Sequence, residues 1–475
     1  MSSYTITNNK LDKNKVFILQ KSEMDKRFDP QFYKQEYKTL LSKIKSKSFK
    51  RLGDIVKFSN ETWNQKDFFE NTFPYIEISE INTLSGEIEN ISETEIEEAA
   101  SRAKMIVRAN DIIISTTRPS RGAIALIKPS QDFSIASTGF SVIRNLKDTE
   151  INRIYLFTVL RQQLVLKQFE QRSSGGNYPA ITQEELSNIL IPKLSSENQE
   201  KIISIFQKTL LEKQQNELEA DKLLASIDTY LLNQLGITLP TQEENTLKNR
   251  MFTTSLKELS SSRFDPHFNK VYFNEVFKSF SKAKYPIKKI KEVLENIKTG
   301  TTPHQKLNPY SENEGIVFLR NTNLKKYQID LTNTKYVQDQ YENLLTFSEK
   351  NEVIMCIAGT VGLSAKNDIE IPISINQNVS ALKFFESVVN PDFATYWFNS
   401  GIFLELTKRA CSVATIYYLN NDNLKLLPIP IPPIEKQLDI ANYITAIRQE
   451  AQALKDKTKL ALQKANEEIE NLLLN

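Results

Sequence analysis

The sequence predicts a mixed α/β (α+β) protein: two similar globular modules separated by two long antiparallel coiled-coil helices, arranged as a pseudo-twofold internal repeat. Three observations support this expectation. At 475 residues the chain exceeds what one hydrophobic core usually serves. Its motifs recur in the same order with a nearly constant offset. Each copy then closes on apolar residues spaced four and three, the seam of a paired helix.

Each copy opens on Arg-Phe-Asp-Pro, at 27–30 and again at 263–266. A basic stretch and a short amphipathic strand follow, "FKRLGDIVKF" from Phe49 and "IKKIKEVLENI" from Ile287. "FPYIEISEIN" from Phe73 and "IVFLRNTNL" from Ile316 are apolar runs ending in polar, Asn-containing residues, as a strand entering a loop does. "NDIIISTTRPSRGAIALIK" from Asn110 answers "NEVIMCIAGTVGLSAK" from Asn351. Both read as a β-branched strand, a Gly/Thr loop and a second strand, with Asp111 and Glu352 241 residues apart. "SIASTGFSVIR" from Ser134 and "SINQNVSALKF" from Ser374 lie 240 apart and alternate like strands. Finally "EELSNILIPKLSSENQEKI" from Glu184 matches "DNLKLLPIPIPPIEKQLDI" from Asp422. Leu186 and Leu424, Pro192 and Pro430, Gln199 and Gln437, and Ile202 and Ile440 all keep a spacing of 238. A register held this long is not chance.

A long helix ends each copy. Ser196 with Gln199 makes a capping-box pattern for the first, and Pro433 suits the first turn of the second, where its missing N–H costs nothing. The first seam runs through Ile203, Phe206, Leu210, Ala220, Leu224, Ile227 and Leu231. The second runs through Ile440, Ile444, Ile447, Ala451, Leu454, Ala461, Ala465 and Leu472, with Thr458 its one soft position. Gly236 stops the first helix, and the polar stretch from Pro240 to Asn249 reads as a linker. The expected boundaries are 1–195 for the first module, 196–236 for the central helix, 237–250 for the linker, 251–432 for the second module and 433–475 for the C-terminal helix. Thirty-odd helical residues span roughly 50 Å.

Apolar residues at 40% and charged residues at 25% describe an ordinary folded protein. Net charge is only +3, so any attraction to polyanions must come from local clusters. Two stand out: Lys43, Lys45, Lys47, Lys50, Arg51 and Lys57 against Asp54, and Lys282, Lys284, Lys288, Lys289, Lys291 and Lys298 against Glu292 and Glu295. A solvated surface explains either cluster alone. Two cysteines, no signal-like start and no membrane-spanning apolar run fit a reducing cytoplasm.

Motifs for independent catalysis are missing. None of the twelve glycines precedes Lys, which excludes a P-loop, and no G-x-G-x-x-G occurs. Asn308-Pro309-Tyr310 lacks the second proline of an adenine-methyltransferase motif and reads as a turn. Glu36-Tyr37-Lys38 is the one acidic-x-Lys tripeptide of the kind metal-dependent nucleases use, and it falls in a helix before any sheet. His267 and His304 with two distant cysteines make no zinc site. No metal or cofactor is expected.

The ordered motifs resemble the specificity subunits of type I restriction-modification systems. "TGTTPHQKLNPY", "IVFLRNTNL", "VIMCIAGTVGLSA", "SINQNVSAL" and "LNNDNLKLLPIPIPPIEKQLDIANYI" are similar to that family's target-recognition domain and its proline-led start of a long helix. The first copy is similar through "FPYIEISEIN", "DIIISTTRPSRGAIAL", "STGFSVIR" and "NYPAITQEELSNILIP", so the resemblance covers nearly the whole chain. The family's Pro-Pro-Leu-x-Glu-Gln reads Pro432-Pro433-Ile434-Glu435-Lys436-Gln437 here, and Ser195 and Ser196 replace the prolines in the first copy.

The resemblance implies a non-catalytic subunit that reads a bipartite site on double-stranded DNA, one half per target-recognition domain. Two methyltransferase subunits and up to two restriction subunits would attach around it, the paired helices setting the spacer. Base reading needs paired donors, or a donor with an acceptor, on loops that follow strands. The first module offers Thr116, Thr117, Arg118, Arg121, Asn177 and Tyr178; the second offers Thr301, Thr302, His304, Arg320, Asn321, Asn323, Thr360 and Tyr417. Lys45, Lys47, Lys50, Lys284, Lys288 and Lys289 suit phosphate contact, which positions without specifying. The rival readings are a specificity subunit of a type II-like or other modification complex, a stand-alone endonuclease, and a coiled-coil scaffold.

Overall fold

The computed structural model describes residues 12, 15–24, 27–64, 69–241, 246, 249, 251–253, 265–266, 268–411 and 417–474. Arg263 and Phe264 of the second Arg-Phe-Asp-Pro, His267 and most of the expected linker lie outside the described residues. The chain packs into two units, Met1–Leu218 with Leu454–Asn475, and Glu219–Ala453.

Unit 1 holds β1 (Phe49–Arg51), β2 (Val56–Ser59), β3 (Thr72–Ile76), β4 (Ser92–Glu95), β5 (Ala103–Ile106), β6 (Ile112–Ser115), β7 (Ile124–Leu126), β8 (Ile135–Ser137), β9 (Phe140–Leu146) and β10 (Leu190–Pro192). They form two four-stranded sheets, ordered β2-β9-β6-β7 and β4-β3-β8-β5, and a ribbon of β1 with β10.

Unit 2 holds β11 (Ile287–Lys289), β12 (Leu294–Thr299), β13 (Tyr310–Ser311), β14 (Ile316–Leu319), β15 (Leu324–Lys325), β16 (Gln328–Ile329), β17 (Lys335–Val337), β18 (Thr346–Ser348), β19 (Val353–Cys356), β20 (Ser364–Lys366), β21 (Ile373–Ile375), β22 (Val379–Phe384) and β23 (Pro428–Pro430). Its sheets run β12-β22-β19-β20 and β13-β17-β14-β21-β18, with ribbons β11-β23 and β15-β16.

The two plans are one plan. β3 pairs parallel with β8, β14 pairs parallel with β21, and the other strand pairs are antiparallel in both units. Lys50 faces Ile191 in one ribbon and Lys288 faces Ile429 in the other, so the 238-residue offset seen in the sequence is also the pairing register. The apolar strands β6 and β19 alternate between two cores, as period-two side chains must. Ile112 and Ile114 face one cluster and Ile113 another; Val353 and Met355 face one and Ile354 and Cys356 another. Each strand is therefore buried on both sides.

The Arg-Phe-Asp-Pro motif acts through its aspartate. Asp29 accepts the Phe32 N–H at 3.0 Å, and Asp265 accepts the Phe268 N–H at 2.8 Å, so each starts a tight turn. The Phe32 ring then sits under Arg27 and the Phe268 ring under Arg409, at 4.9 and 3.8 Å.

Both long helices form, Ser196–Leu235 with 40 residues and Ile434–Leu474 with 41. The first is capped one residue earlier than the sequence suggests. Ser195 accepts the Gln199 N–H through its carbonyl at 2.9 Å, and its hydroxyl oxygen accepts the Asn198 N–H. Pro433 takes the same place in the second helix, its carbonyl accepting the Gln437 N–H at 3.0 Å, so it lies before the first turn.

Gln199 forms no capping box, because its side chain is engaged elsewhere. Its Oε1 accepts the Asn152 N–H at 2.9 Å, and its Nε2 donates to the Glu150 and Leu194 carbonyls. Gln437 repeats this: Oε1 accepts the Asn390 N–H at 2.9 Å, and Nε2 donates to the Val388 and Pro432 carbonyls. Both glutamines are buried. Asn152 and Asn390 in turn cap the helices Arg153–Leu160 and Pro391–Phe398.

In unit 1 the two long helices run antiparallel. Asn216 donates to the Thr458 hydroxyl at 3.1 Å, Glu212 pairs with Lys457, and Ile203 and Phe206 share a core with Ile469 and Leu473. Asn216, a partner for the soft Thr458, goes unmarked in the sequence reading. So does a shift of the seam: Leu462, Ile469 and Leu473 are buried, whereas Leu472 is 38% exposed. A spacing of four after Thr458 turns the stripe away from the residues the simple pattern selects. In unit 2, Ile227 and Leu231 share a core with Ile440, Ile444 and Ile447, and Tyr230 stacks on Tyr443 at 4.2 Å.

Two outcomes are expected. Gln437→Leu leaves the Asn390 N–H and two buried carbonyls unpaired, and should cost about 2 kcal/mol or more in denaturant unfolding of the intact chain. An unchanged midpoint would show that the amide is not an anchor. Replacing the polar seam pair by Asn216→Leu with Thr458→Val should raise that midpoint, because such a pair specifies register at a cost in stability. A lower midpoint would show that it stabilises outright.

Candidate nucleic-acid interface

The loops at one end of each module are tied together by backbone hydrogen bonds. In unit 1 the loop after β6 starts with Thr116, whose N–H and hydroxyl both donate to the Gly139 carbonyl, at 2.7 and 2.9 Å. Thr117 then bridges to Ala180, and the Arg118 N–H donates to the Pro179 carbonyl at 2.7 Å. In unit 2 the loop after β19 repeats the clasp: Ala358 bridges to Tyr418, and the Gly359 N–H donates to the Tyr417 carbonyl at 3.3 Å. Leu419 donates to Ile357 as Ile181 donates to Thr116.

The shared backbone path explains an unusual residue. Gly359 has φ +81°, and its counterpart Arg118 has φ +49° and ψ +49°. A left-handed conformation costs a non-glycine residue roughly 1–2 kcal/mol, so unit 1 holds an arginine where the turn favours glycine. The Arg118 guanidinium lies 4.2 Å from the ring centroid of Tyr178, and its Nη2 donates to the Asn177 carbonyl at 3.0 Å. Tyr178 is 70% exposed. Arg118, Asn177 and Tyr178 thus converge, while Arg121 ends the following turn on the surface beside them.

Unit 2 gathers more segments. The Gly300 N–H donates to Val379, Thr301 to Ile375, Asn376 to Leu319 and Ile357 to Asn378, which links the loops at 299–302, 320–323, 357–360 and 376–378. Gly300 is required there, since a Cβ would fall 2.1 Å from the Ile375 carbonyl oxygen. The Thr301 hydroxyl donates to the Leu344 carbonyl at 2.7 Å; Thr302, Thr360 and Tyr417 are exposed beside it. His304 caps its own turn, its Nδ1 accepting the Lys306 N–H. Arg320 donates to the Asn333 carbonyl, and Asn321 lies against Gly359.

Asn323 belongs to the scaffold. It is buried, its Oδ1 accepts the Arg320 N–H at 3.1 Å and its Nδ2 donates to the Asp330 carbonyl at 3.0 Å. The sequence reading passed over Gln377, which is exposed between Asn376 and Asn378 in the loop joining β21 to β22. Its signal was the run "SINQN", a polar interruption between two apolar strands.

The lysines lie elsewhere. Lys288 and Lys289 are on β11, which precedes β12, whereas the loop of Thr301 follows the far end of β12, a strand of six residues that spans roughly 20 Å. Lys284 sits beside the Tyr285 ring. Lys45 and Lys47 are exposed at the end of the helix Gln35–Lys45, and Lys50 on β1 is neutralised by Asp148. Lys50 in turn holds the Asp148 carboxyl below its usual range. Cys356 and Cys411 are buried, and burial pushes the Cys356 thiol up to about 11. Among the described residues no cluster of His, Cys, Asp or Glu is placed to hold a metal ion, and no helix is long and apolar enough to cross a membrane.

Two modules of one topology, each presenting the same clasped loops, define a duplicated binding protein. A family model described as the type I restriction modification DNA specificity domain matches residues 12–229 and again 283–464. The chain belongs to this family of specificity subunits. It is 22% identical over 476 residues to the putative type I restriction enzyme MjaX specificity subunit of Methanocaldococcus jannaschii, covering 94% of this chain and 97% of that one. It is 26% identical over 163 residues to the type I restriction enzyme HindI specificity subunit of Haemophilus influenzae, a match that spans 34% of this chain and about a third, 32%, of that relative. Solved structures similar to it include the HsdS subunit from Thermoanaerobacter tengcongensis, with TM-score 0.35 and 21% identity over 90% of this chain and 95% of that one. Another, described by complex assembly and conformational transition of the type I R-M system, has TM-score 0.49 and 21% identity, covering 90% and 96%.

Asn323→Ala should lower the melting temperature of the chain by a few degrees, about 1 kcal/mol or more, because it strands an Arg320 N–H and an Asp330 carbonyl. The DNA sequence selected should not change. A changed sequence at full stability would return Asn323 to the reading face.

Proposed function

We propose that each module reads one half of a bipartite site on double-stranded DNA through its clasped loops, on behalf of methyltransferase and restriction subunits that do the chemistry. The observation that supports this most directly is the duplicated clasp, which puts exposed donors and acceptors at the same end of both modules. Thr116, Thr117, Arg118, Arg121, Asn177 and Tyr178 form the reading set of the first half-site. Thr301, Thr302, His304, Arg320, Asn321, Thr360 and Tyr417, joined by Gln377, form that of the second. Asn and Gln suit adenine and Arg suits guanine by the geometry of their donor pairs. Lys45, Lys47, Lys284, Lys288 and Lys289 are assigned to phosphates flanking the read bases, where charge sets affinity without sequence. Two methyltransferase subunits are the expected complement, one for each module, and the length of the long helices sets the spacing between half-sites.

Exchange of residues 27–190 for the equivalent segment of another family member tests the reading. With partner subunits present, mapping of the methylated bases should show one half-site replaced and the other retained. Loss of both halves would refute independent reading.

A further inference from the structure

We infer that Arg118 reads a guanine in the half-site of the first module, that Tyr178 positions it, and that the second module has no arginine to do the same at its matching place. This rests on the DNA-reading function proposed above and names the chemistry of one contact within it.

Three independent observations meet at Arg118. Its backbone occupies the left-handed region at a point where the second module has Gly359, so the arginine is kept against the local preference of the turn. Its guanidinium lies over Tyr178, 4.2 Å from the ring centroid, and that ring is exposed and not part of any core cluster. One Nη2–H is spent on the Asn177 carbonyl. Among the described residues no other hydrogen bond from this guanidinium is formed, so the rest of its donor fork is available. A planar fork placed over a ring and tethered at one corner gives up part of its rotamer freedom before it meets a ligand. The ligand that matches two parallel N–H donors on a duplex is the O6/N7 edge of guanine in the major groove. A phosphate would match the charge but does not require the plane to be fixed.

The second module keeps the clasp and loses the fork. Gly359 has no side chain, and the nearest polar group to the place a Cβ would take is the Asn321 amide, at 3.3 Å. An amide pairs with adenine rather than guanine. The two half-sites are therefore read by different chemistry at one equivalent position, although the backbone there is duplicated.

The test uses the full chain co-expressed with its modification subunits, with the methylated sequence mapped across a genome. Arg118→Ala and Arg118→Gly should each relax the site at a single G·C pair of one half, by about tenfold or more in preference, leaving the other half unchanged. Because Gly also relieves the left-handed strain, agreement of the two variants separates the guanidinium from the fold. Tyr178→Ala should weaken the same preference, and Tyr178→Phe, which keeps the ring, should restore it. An unchanged methylated sequence in Arg118→Gly, or a uniform loss over all sites, would overturn the assignment; the second result would mark a phosphate contact. If the unaltered complex selects no bipartite sequence, the function itself is wrong, which is a distinct result.

Discussion

Each unit depends on one buried amide. A glutamine in the first turn of a long helix must hydrogen bond through both ends of its side chain, because a buried polar group without partners is costly. Gln199 and Gln437 satisfy that demand with the backbone of a segment 47–49 residues earlier in the chain and with the residue two places before the helix, Leu194 or Pro432. The helix axis, the short helix capped by Asn152 or Asn390 and the last strand of the module are thereby fixed to one another. The offset of 238 residues that joins Gln199 to Gln437 also governs the ribbons and one side of the clasped loops, Ala180 answering to Tyr418. Duplication preserved the geometry because a single partner lost at this point would leave several groups unpaired.

Elsewhere the copies keep a structural need and change how it is met. Asp111 and Glu352 occupy equivalent buried places, each closing the turn before a central strand by accepting a backbone N–H. Asp111 is balanced by Arg144 on β9, and Glu352 by Lys298 on β12, so the counter-charge comes from a different strand. Asn110 and Asn351 precede them, both with φ +69°. The loops follow the same logic. The backbone clasp is shared, whereas the side chains it carries, Arg118 against Gly359 or Pro179 against Tyr417, differ.

Periodicity and offset were enough to read two similar modules, several of their strands and both long helices from the amino-acid chain, because these rest on apolar patterns that repeat. Local hydrogen-bond partners were harder. Gln199 looks like a capping residue when only its neighbours are considered, and its true partners, Glu150 and Asn152, are visible only once the chain has folded back. The seam went astray at Leu472 because the buried stripe steps by four from Ala465 to Ile469 and Leu473. In the loops, residue type nominated the right neighbourhoods but could not sort them. Asn321 and Asn323 have the same side chain two residues apart, yet only Asn323 is buried with its amide fully used. Gln377 was hidden by the strands around it.

The division of the long helices has a consequence for synthesis. Unit 2 is one continuous stretch, Glu219–Ala453, and all of it is synthesised before Leu454 is added. Unit 1 encloses Ile469 and Leu473 in the core it shares with Ile203 and Phe206. The module translated first therefore has to wait, its apolar groove uncovered, until Ile469 and Leu473 arrive to fill it. During that interval the nascent chain carries an unfinished first half with apolar surface exposed, the kind of species that is prone to aggregate.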